Sequence, residues 1–413
     1  MSKIGIIGGG IIGLSSAYYL AKAGHHVTII DKSELTDGCS FGNAGMIVPS
    51  HFIPLAAPGM ISKGIRWMFN SKSPFYVRPR IDPDLVKWGY QFYKHSNEKH
   101  VKRSSPALRD LSLLSRSLYS QLKKDLPFDF EYHERGLLMM YQSKEAEHEE
   151  KETAHVANDL GIEARVLSPE EVQQLEPDVK VNVRGGIYFP GDTHLTPQKL
   201  VIGLIAYLKS MGVEVITSSE VTGVTMKGRQ IESIRAANRD LVFDEYVLAT
   251  GSWSGVMGDK FGLTLPMQAG KGYSFTLNDV SKNTRIPSIL LEARVAVTPM
   301  GNSLRFGGTM EIGGINHDIN PNRVRGIVEA IPKYYPEMKV EFPSKIWHGL
   351  RPCSPDGLPF IGRMIAPENM IVATGHSMMG MSLGPATGKI VSSLIAGTKP
   401  DVDISLFSPE RFA

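Results

Sequence analysis

Gly8, Gly10 and Gly13 stand at G-x-G-x-x-G spacing, and Asp31 follows Gly13 by 18 residues. Together these four could hold the phosphates and one sugar of a dinucleotide. Gly8 permits a tight turn, Gly10 lets backbone approach a pyrophosphate, and Gly13 lets a helix sit close to a strand. An acid at this distance accepts hydrogen bonds from a ribose diol. An aspartate with no arginine beside it argues against a 2′-phosphate. The motif does not choose between a nicotinamide and a flavin nucleotide.

Such residues work only if particular elements position them, and those elements are legible. Ile4 to Ile7 is an apolar strand running straight into the glycines, and a helix-like stretch follows. A second apolar strand, His26-Val27-Thr28-Ile29-Ile30, then ends on Asp31. The helix N-terminus turns unpaired N–H groups and the positive end of its dipole toward the phosphates. A glycine-rich turn of another α/β protein would leave the acid that closes the second strand unexplained.

At 413 residues the chain exceeds the usual size of one domain, so two are expected. A formal charge of +3 does not suggest nucleic acid. Cys39 and Cys353 lie far apart, outside any CxxC or Cys/His ligand spacing, which fits small buried hydrophobes in a reducing, cytoplasmic compartment and no metal. The start runs directly into the strand and phosphate loop, so no signal peptide is expected. No apolar run is long enough to span a membrane.

Residues 54–103 carry ten Lys or Arg against three Asp or Glu, interleaved with Ile65, Trp67, Met68, Phe69, Phe75, Tyr76, Trp88, Tyr90, Phe92 and Tyr93. This pattern admits a surface lying on anionic lipid, a peripheral membrane contact. It also admits a solvated face on helices that pack inward through their aromatics, and this second reading is favoured here.

Residues 85–125 read as helical, with Leu111, Leu114, Leu118 and Leu122 on one stripe. Residues 128–141 and 186–189 read as strands. Thr196 and Pro197 are an N-cap and N1 pair opening a helix through Lys209 that stops near Gly212. Residues 213–216 form a strand, 226–229 turn a hairpin, and a second hairpin crosses 300–303 within 289–309. Residues 322–334 read as helix.

Two later strands also end in glycine before a helix: Tyr246 to Gly251, and Met370 to Gly375 with Gly380, Gly384 and Gly388 beyond. A nicotinamide site is usually built from one contiguous half of a chain. A site assembled from start, middle and end suits a longer ligand such as FAD, with its flavin ring under the last loop.

These residues carry a family resemblance that runs nearly end to end. The chain resembles the D-amino-acid oxidase superfamily of FAD enzymes, and within it the bacterial D-amino-acid dehydrogenases, including those acting on D-proline or hydroxy-D-proline. The likeness rests on the N-terminal fingerprint, Cys39 to Gly45 (CSFGNAG), Val247 to Trp253, and Gly270 to Ser274 (GKGYS). It continues through Arg305 to Glu311 (RFGGTME), Gly349 to Pro352 (GLRP), and Thr374 to Gly380.

The resemblance implies a discontinuous Rossmann-like FAD-binding domain, residues 1–125, 196–262 and 346–413. A mostly antiparallel β substrate domain, 126–195 and 263–345, completes this α/β reading. It implies noncovalent FAD held by Gly8, Gly10, Ile11, Ile12, Gly13, Asp31, Lys32, Ser40, Asn43, Ala44, Gly45, Met46, Val221, Thr250, Gly251 and Trp253. Gly349, Arg351, Gly375, His376, Met379, Gly380, Met381, Ser382 and Leu383 would complete the set around the ring. Arg351 would clamp a substrate carboxylate, for which a planar, always-charged fork is suited. Arg294, expected on a strand, is a weaker second clamp. Tyr273 would meet the carboxylate or remain core, Lys271 would face flavin or solvent, and His376 would tune the ring or the amine's proton or be a hydrogen-bonded structural histidine.

The reaction implied is dehydrogenation of a D-amino acid to the imino acid, with hydride passing to flavin and electrons on to a quinone or other carrier. Ser377-Met378-Met379 departs from the glycine-oxidase pattern and makes the pocket more apolar. A glycine- or sarcosine-type oxidase using oxygen is the alternative, and a non-redox nucleotide-binding protein is a third reading.

Overall fold

Two sheets organise the chain, and they differ in the direction their strands run. In the computed structural model, which describes residues 1–68 and 72–413, the first sheet has six strands. Their order is Phe360–Arg363, Met370–Thr374, Glu245–Leu248, Lys3–Ile7, His26–Ile30, Glu214–Ile216. All neighbours are parallel except the edge strand Phe360–Arg363. Parallel strands are buried on both faces, which explains their unbroken apolar runs. Ile4, Ile6, Ile29, Val247 and Ile371 are inaccessible to solvent. The helices Ile11–Lys22 and Pro197–Ser210 share one core cluster with them.

The second sheet is mostly antiparallel. Its order is Trp347–Cys353, Gln268–Leu277, Ser303–Ile312, Val295–Met300, Ser288–Leu290, Leu137–Tyr141, Gly185–Phe189, Arg165–Leu167. The helix Pro321–Tyr334 covers one face, setting Val324, Ile327 and Ile331 against Tyr273, Phe275, Val297 and Phe306.

Several elements differ from the sequence reading. The 85–125 helix is two helices, Pro83–His95 and Glu98–Asp125. Asn97 breaks it by taking the His100 N–H on its own side chain, the usual way a short polar residue starts a new helix. Of 128–141 only Leu137–Tyr141 is strand. Glu131 has φ +54° and gives its carboxylate to Thr196 and Lys199. Thr196 therefore sits at the cap position without capping. Arg294 lies in a turn at φ +51°, not on a strand. Trp347–Cys353 and Phe75–Val77 pair into the second sheet, although both fall in stretches read with the FAD part.

Asp192 joins two of these parts. It is 1% exposed and accepts both the N–H and the hydroxyl of Ser50. Burial pushes its carboxyl up to about 7. The folded state thus keeps a proton that the unfolded chain releases near its ordinary value, so this contribution to stability is complete at low pH and is lost as pH rises toward 7. In Asp192→Asn, the fall in urea midpoint between pH 5 and pH 8 is expected to shrink. An unchanged fall would mean that Asp192 is ionised throughout.

Candidate active site and FAD cradle

The cradle begins where Lys3–Ile7 hands over to Ile11–Lys22. Gly8 has φ +104°, and a Cβ there would meet the Ala249 carbonyl oxygen at 2.5 Å. A Cβ on Gly13 would come within 1.9 Å of the Gly8 oxygen. Side chains are thus excluded on both sides of the turn. A helix leaves its first four N–H groups without intrahelical partners. Gly10 has no side chain to cap them, and among the described residues Ile11 alone of these is served from outside, by Ser40 Oγ at 2.9 Å.

Asp31 accepts from Gly9 N at 2.7 Å and from the Ser33 N–H and hydroxyl. It therefore stands beside the loop, at the end of the second strand. Lys32 lies 3.6 Å from the Trp253 ring centroid, and Val221 is core, packed with Ile7 and Ile30. Thr250, Ser254 and Thr374 form a string of hydroxyls linking the ends of two strands. Exposed N–H groups, a helix dipole and glycines that admit close approach are the features a pyrophosphate needs. FAD fits this cradle.

From Ser40 to Met46 the chain crosses to the second sheet. Ser274 Oγ donates to the Gly42 oxygen at 3.0 Å, and Arg305 Nη1 to the Asn43 oxygen at 2.8 Å. Asn43 Oδ1 takes the Gly45 N–H, Gly45 has φ +76°, and Ala44 is half-buried between them. Met46 pairs with His194. Ser382 Oγ, on the C-terminal helix Gly380–Ile395, accepts from Val48 N.

That last helix explains several predicted residues differently. Gly375 has φ +77° and starts the turn Ser377–Met379. Met381 and Leu383 are core side chains, and the Met381 carbonyl is held by Tyr119. His376 is hydrogen-bonded and buried, the structural one of its expected places. Thr387 spends its proton on the Leu383 oxygen, so His376 Nε2–H donates to Thr387 Oγ1 at 2.9 Å. Burial holds this imidazole down to about 3. It is a neutral anchor for the helix and titrates far below the pH of an amine.

On the second sheet, Trp347–Cys353 and Gln268–Leu277 present alternate residues to opposite faces. Arg351 lies over Gly272, whose Cβ would be 2.3 Å from its guanidinium. Arg351 Nη1 donates to the Thr309 oxygen at 2.5 Å. Among the described residues no acid forms a salt bridge with it, and burial lowers its pKa. Gly349 makes room for Trp347 on this same face.

Tyr273 and Lys271 point the other way, which makes Tyr273 core, one of its two expected places, and corrects the expectation for Lys271. The Tyr273 hydroxyl donates to Glu311 and accepts from Asn320 N, with burial pushing it up to about 12. Lys271 is 1% exposed and reaches Asn316, the Asp318 oxygen and Glu311, so it faces neither solvent nor the Arg351 side. Arg294 is solvent-exposed. The sheet therefore brings Arg351 alone of the proposed substrate contacts to the face that meets the 40–46 segment. Among the described residues no group of three His, Cys, Asp or Glu is arranged for a metal ion.

Residues 3–394 match the family model described as FAD dependent oxidoreductase. The chain belongs to this family. It is 31% identical to a D-amino acid dehydrogenase of Vibrio atlanticus over 98% of this chain and 99% of that protein. A D-amino acid dehydrogenase of Bradyrhizobium diazoefficiens is 29% identical over 100% and 99%. The fold matches glycine oxidase from Geobacillus kaustophilus with a TM-score of 0.80 at 22% identity, covering 100% of both chains. L-proline dehydrogenase from P. horikoshii matches at 0.79 and 19% identity, over 100% of this chain and 97% of that one. The protein is an FAD-dependent oxidoreductase with a Rossmann-like part and a second, mostly antiparallel sheet.

Sequence reasoning gave no task to Arg305 or Gly272, although both lie in the motifs that carry the resemblance, and it placed Thr250 near FAD without its link through Ser254 to Thr374. Arg305, Gly272 and Thr374 each act on residues far away in the chain. Gly388 holds the first and last helices together: a Cβ there would meet the Ser15 backbone at 2.5 Å. Gly388→Ala is expected to cost about 1–3 kcal/mol by overpacking and to lower flavin retained per protein, read as absorbance near 450 nm against 280 nm. Gly38→Ala, where no atom lies within 4 Å, should leave both unchanged.

Proposed function

We propose that this protein dehydrogenates a D-amino acid, of D-proline-like or other apolar type, to the imino acid. The observation that carries the reading is Arg351, a partly buried guanidinium with no carboxylate beside it among the described residues. Burying an uncompensated cation is costly, and a substrate carboxylate arriving on the fork would offset that cost. The names of the relatives, D-amino acid dehydrogenases, supply the substrate class.

FAD, when bound, supplies the acceptor for a hydride from the substrate Cα. Gly8 to Gly13 and Asp31 would hold its pyrophosphate and ribose noncovalently, so acid precipitation should release the yellow chromophore into the supernatant. Arg351 would orient the substrate by its carboxylate, and Met378 and Met379 would give the pocket an apolar wall against larger side chains. The first sheet and its helices would form the FAD part, and the second sheet the substrate part.

Electrons would leave to a quinone or another carrier, with the outer face of Pro83–His95 as the approach to lipid. Trp88, Phe92 and Leu85 of this helix pack inward. Val86, Tyr90 and Tyr93 recur at helical spacing on the opposite side, at 70%, 56% and 68% exposure. Lys87 and Lys94 flank them. Apolar residues beside cations are what an anionic bilayer surface favours. Phe69 lies outside the described residues, and among these no helix is long and apolar enough to cross a membrane.

Anaerobic mixing with D- and L-amino acids, glycine and sarcosine tests the chemistry. Bleaching by D-proline-like amino acids with slow recovery in air is expected. Bleaching by glycine or sarcosine alone, with immediate recovery, would replace this reading by an oxidase. Arg351→Met is expected to lower kcat/KM roughly 100-fold, the cost of losing a charge-assisted pair. The triple change Val86→Ser, Tyr90→Ser, Tyr93→Ser is expected to abolish cosedimentation with phosphatidylglycerol vesicles while leaving flavin content intact. Equal sedimentation of parent and variant would remove the lipid contact.

A further inference from the structure

Thr309 occupies a backbone conformation that glycine would adopt at little cost. It is the extra residue of a β-bulge. Tyr273 pairs with Gly308 and Lys271 with Glu311, so two residues, Thr309 and Met310, stand opposite the single residue Gly272. The φ of Thr309 is +67°, in the left-handed region where a β-branched side chain is strained. Bulges next to active sites re-aim side chains, and this one has an identifiable direction. Gly308 borders Ile327 and Glu311 bonds Tyr273, both on the helix-covered face. Met310 instead brings its sulfur to 3.9 Å from Arg351 Nη1. The bulge pair is therefore turned to the Arg351 face.

The Thr309 carbonyl accepts from Arg351, but a glycine carbonyl would do the same. What only threonine adds is its hydroxyl. That oxygen is buried in a residue 8% exposed, and it has no hydrogen-bond partner among the described residues. Buried hydroxyls are nearly always bonded, so strain and an orphaned donor coincide within one residue of the sheet that already touches the fork. A carboxylate has about four lone-pair sites, more than one guanidinium fills.

We propose that Thr309 is a substrate-binding residue whose Oγ–H donates to the carboxylate held by Arg351. The proposal rests on the Arg351 reading above. With two donors of different shape on one carboxylate, rotation about the Arg351 fork is removed and the Cα–H keeps one direction.

The test uses the FAD-loaded protein and benzoate, a carboxylate that cannot be oxidised, with binding read as a shift in flavin absorbance. Substrate affinity is read in parallel from the concentration dependence of anaerobic flavin reduction. Thr309→Val keeps the shape and removes the hydroxyl, Thr309→Ser keeps the hydroxyl, and Thr309→Gly accepts the backbone without strain. Loss of a hydrogen bond to a charged group predicts a Kd about 10- to 100-fold higher in the Val and Gly variants. The Ser variant should stay within about threefold of the parent. Thr309→Gly should melt no lower than the parent, because strain relief offsets the entropy of the added glycine. If Thr309→Val and Thr309→Gly bind benzoate like the parent while Arg351→Met does not, the Thr309 role is wrong and the Arg351 reading stands. If Arg351→Met also binds normally, the shared reading falls.

Discussion

The closeness of the first and last helices is the constraint on which the rest depends. Ile11–Lys22 and Gly380–Ile395 meet closely, because Gly388 lies on the Ser15 backbone with no room for a Cβ and Gly384 packs tightly on the Ile11 and Ser15 side chains. Packing at this density transmits any shift directly. It fixes the chain's two ends at the same edge of the parallel sheet. The phosphate-facing N–H groups of the first helix and the turn that opens the last one thus belong to one surface, which a nucleotide can span.

From that edge, a small number of hydrogen bonds join the two sheets, and most end on main-chain carbonyls. Ser274 holds Gly42, Arg305 holds Asn43, and Ser252 holds Leu350. The Cys39 thiol bonds both the N–H and the oxygen of Leu350, so a cysteine outside every ligand spacing still has a structural task. These contacts leave Arg351, one residue beyond Leu350, on the face that looks toward the 40–46 segment. It sits partly buried with no acid beside it among the described residues, unlike Lys271 on the reverse face, which has Glu311. The same strand pair therefore separates the Lys271–Glu311 cluster from the Arg351 guanidinium.

The sequence by itself determined the parts whose physics is local. The glycine spacing, the acid closing His26–Ile30, the parallel-strand runs and the hairpin at Met300 to Ser303 each depend on residues within one turn or strand. Glycine at positive φ and period-2 burial act at that range, and Gly8, Gly301 and Gly375 stand as read. Only the tertiary structure decided which face each strand residue took. Tyr273 was read as substrate contact or core and Arg351 as substrate contact, and pleating put them on opposite sides, while the bulge brought the Thr309 carbonyl to the arginine. His376, ahead of the last helix, was drawn to Thr387 on that helix. A side chain's partner across a sheet or domain is set by register and close packing between segments hundreds of residues apart, and no local pattern of residue types encodes it.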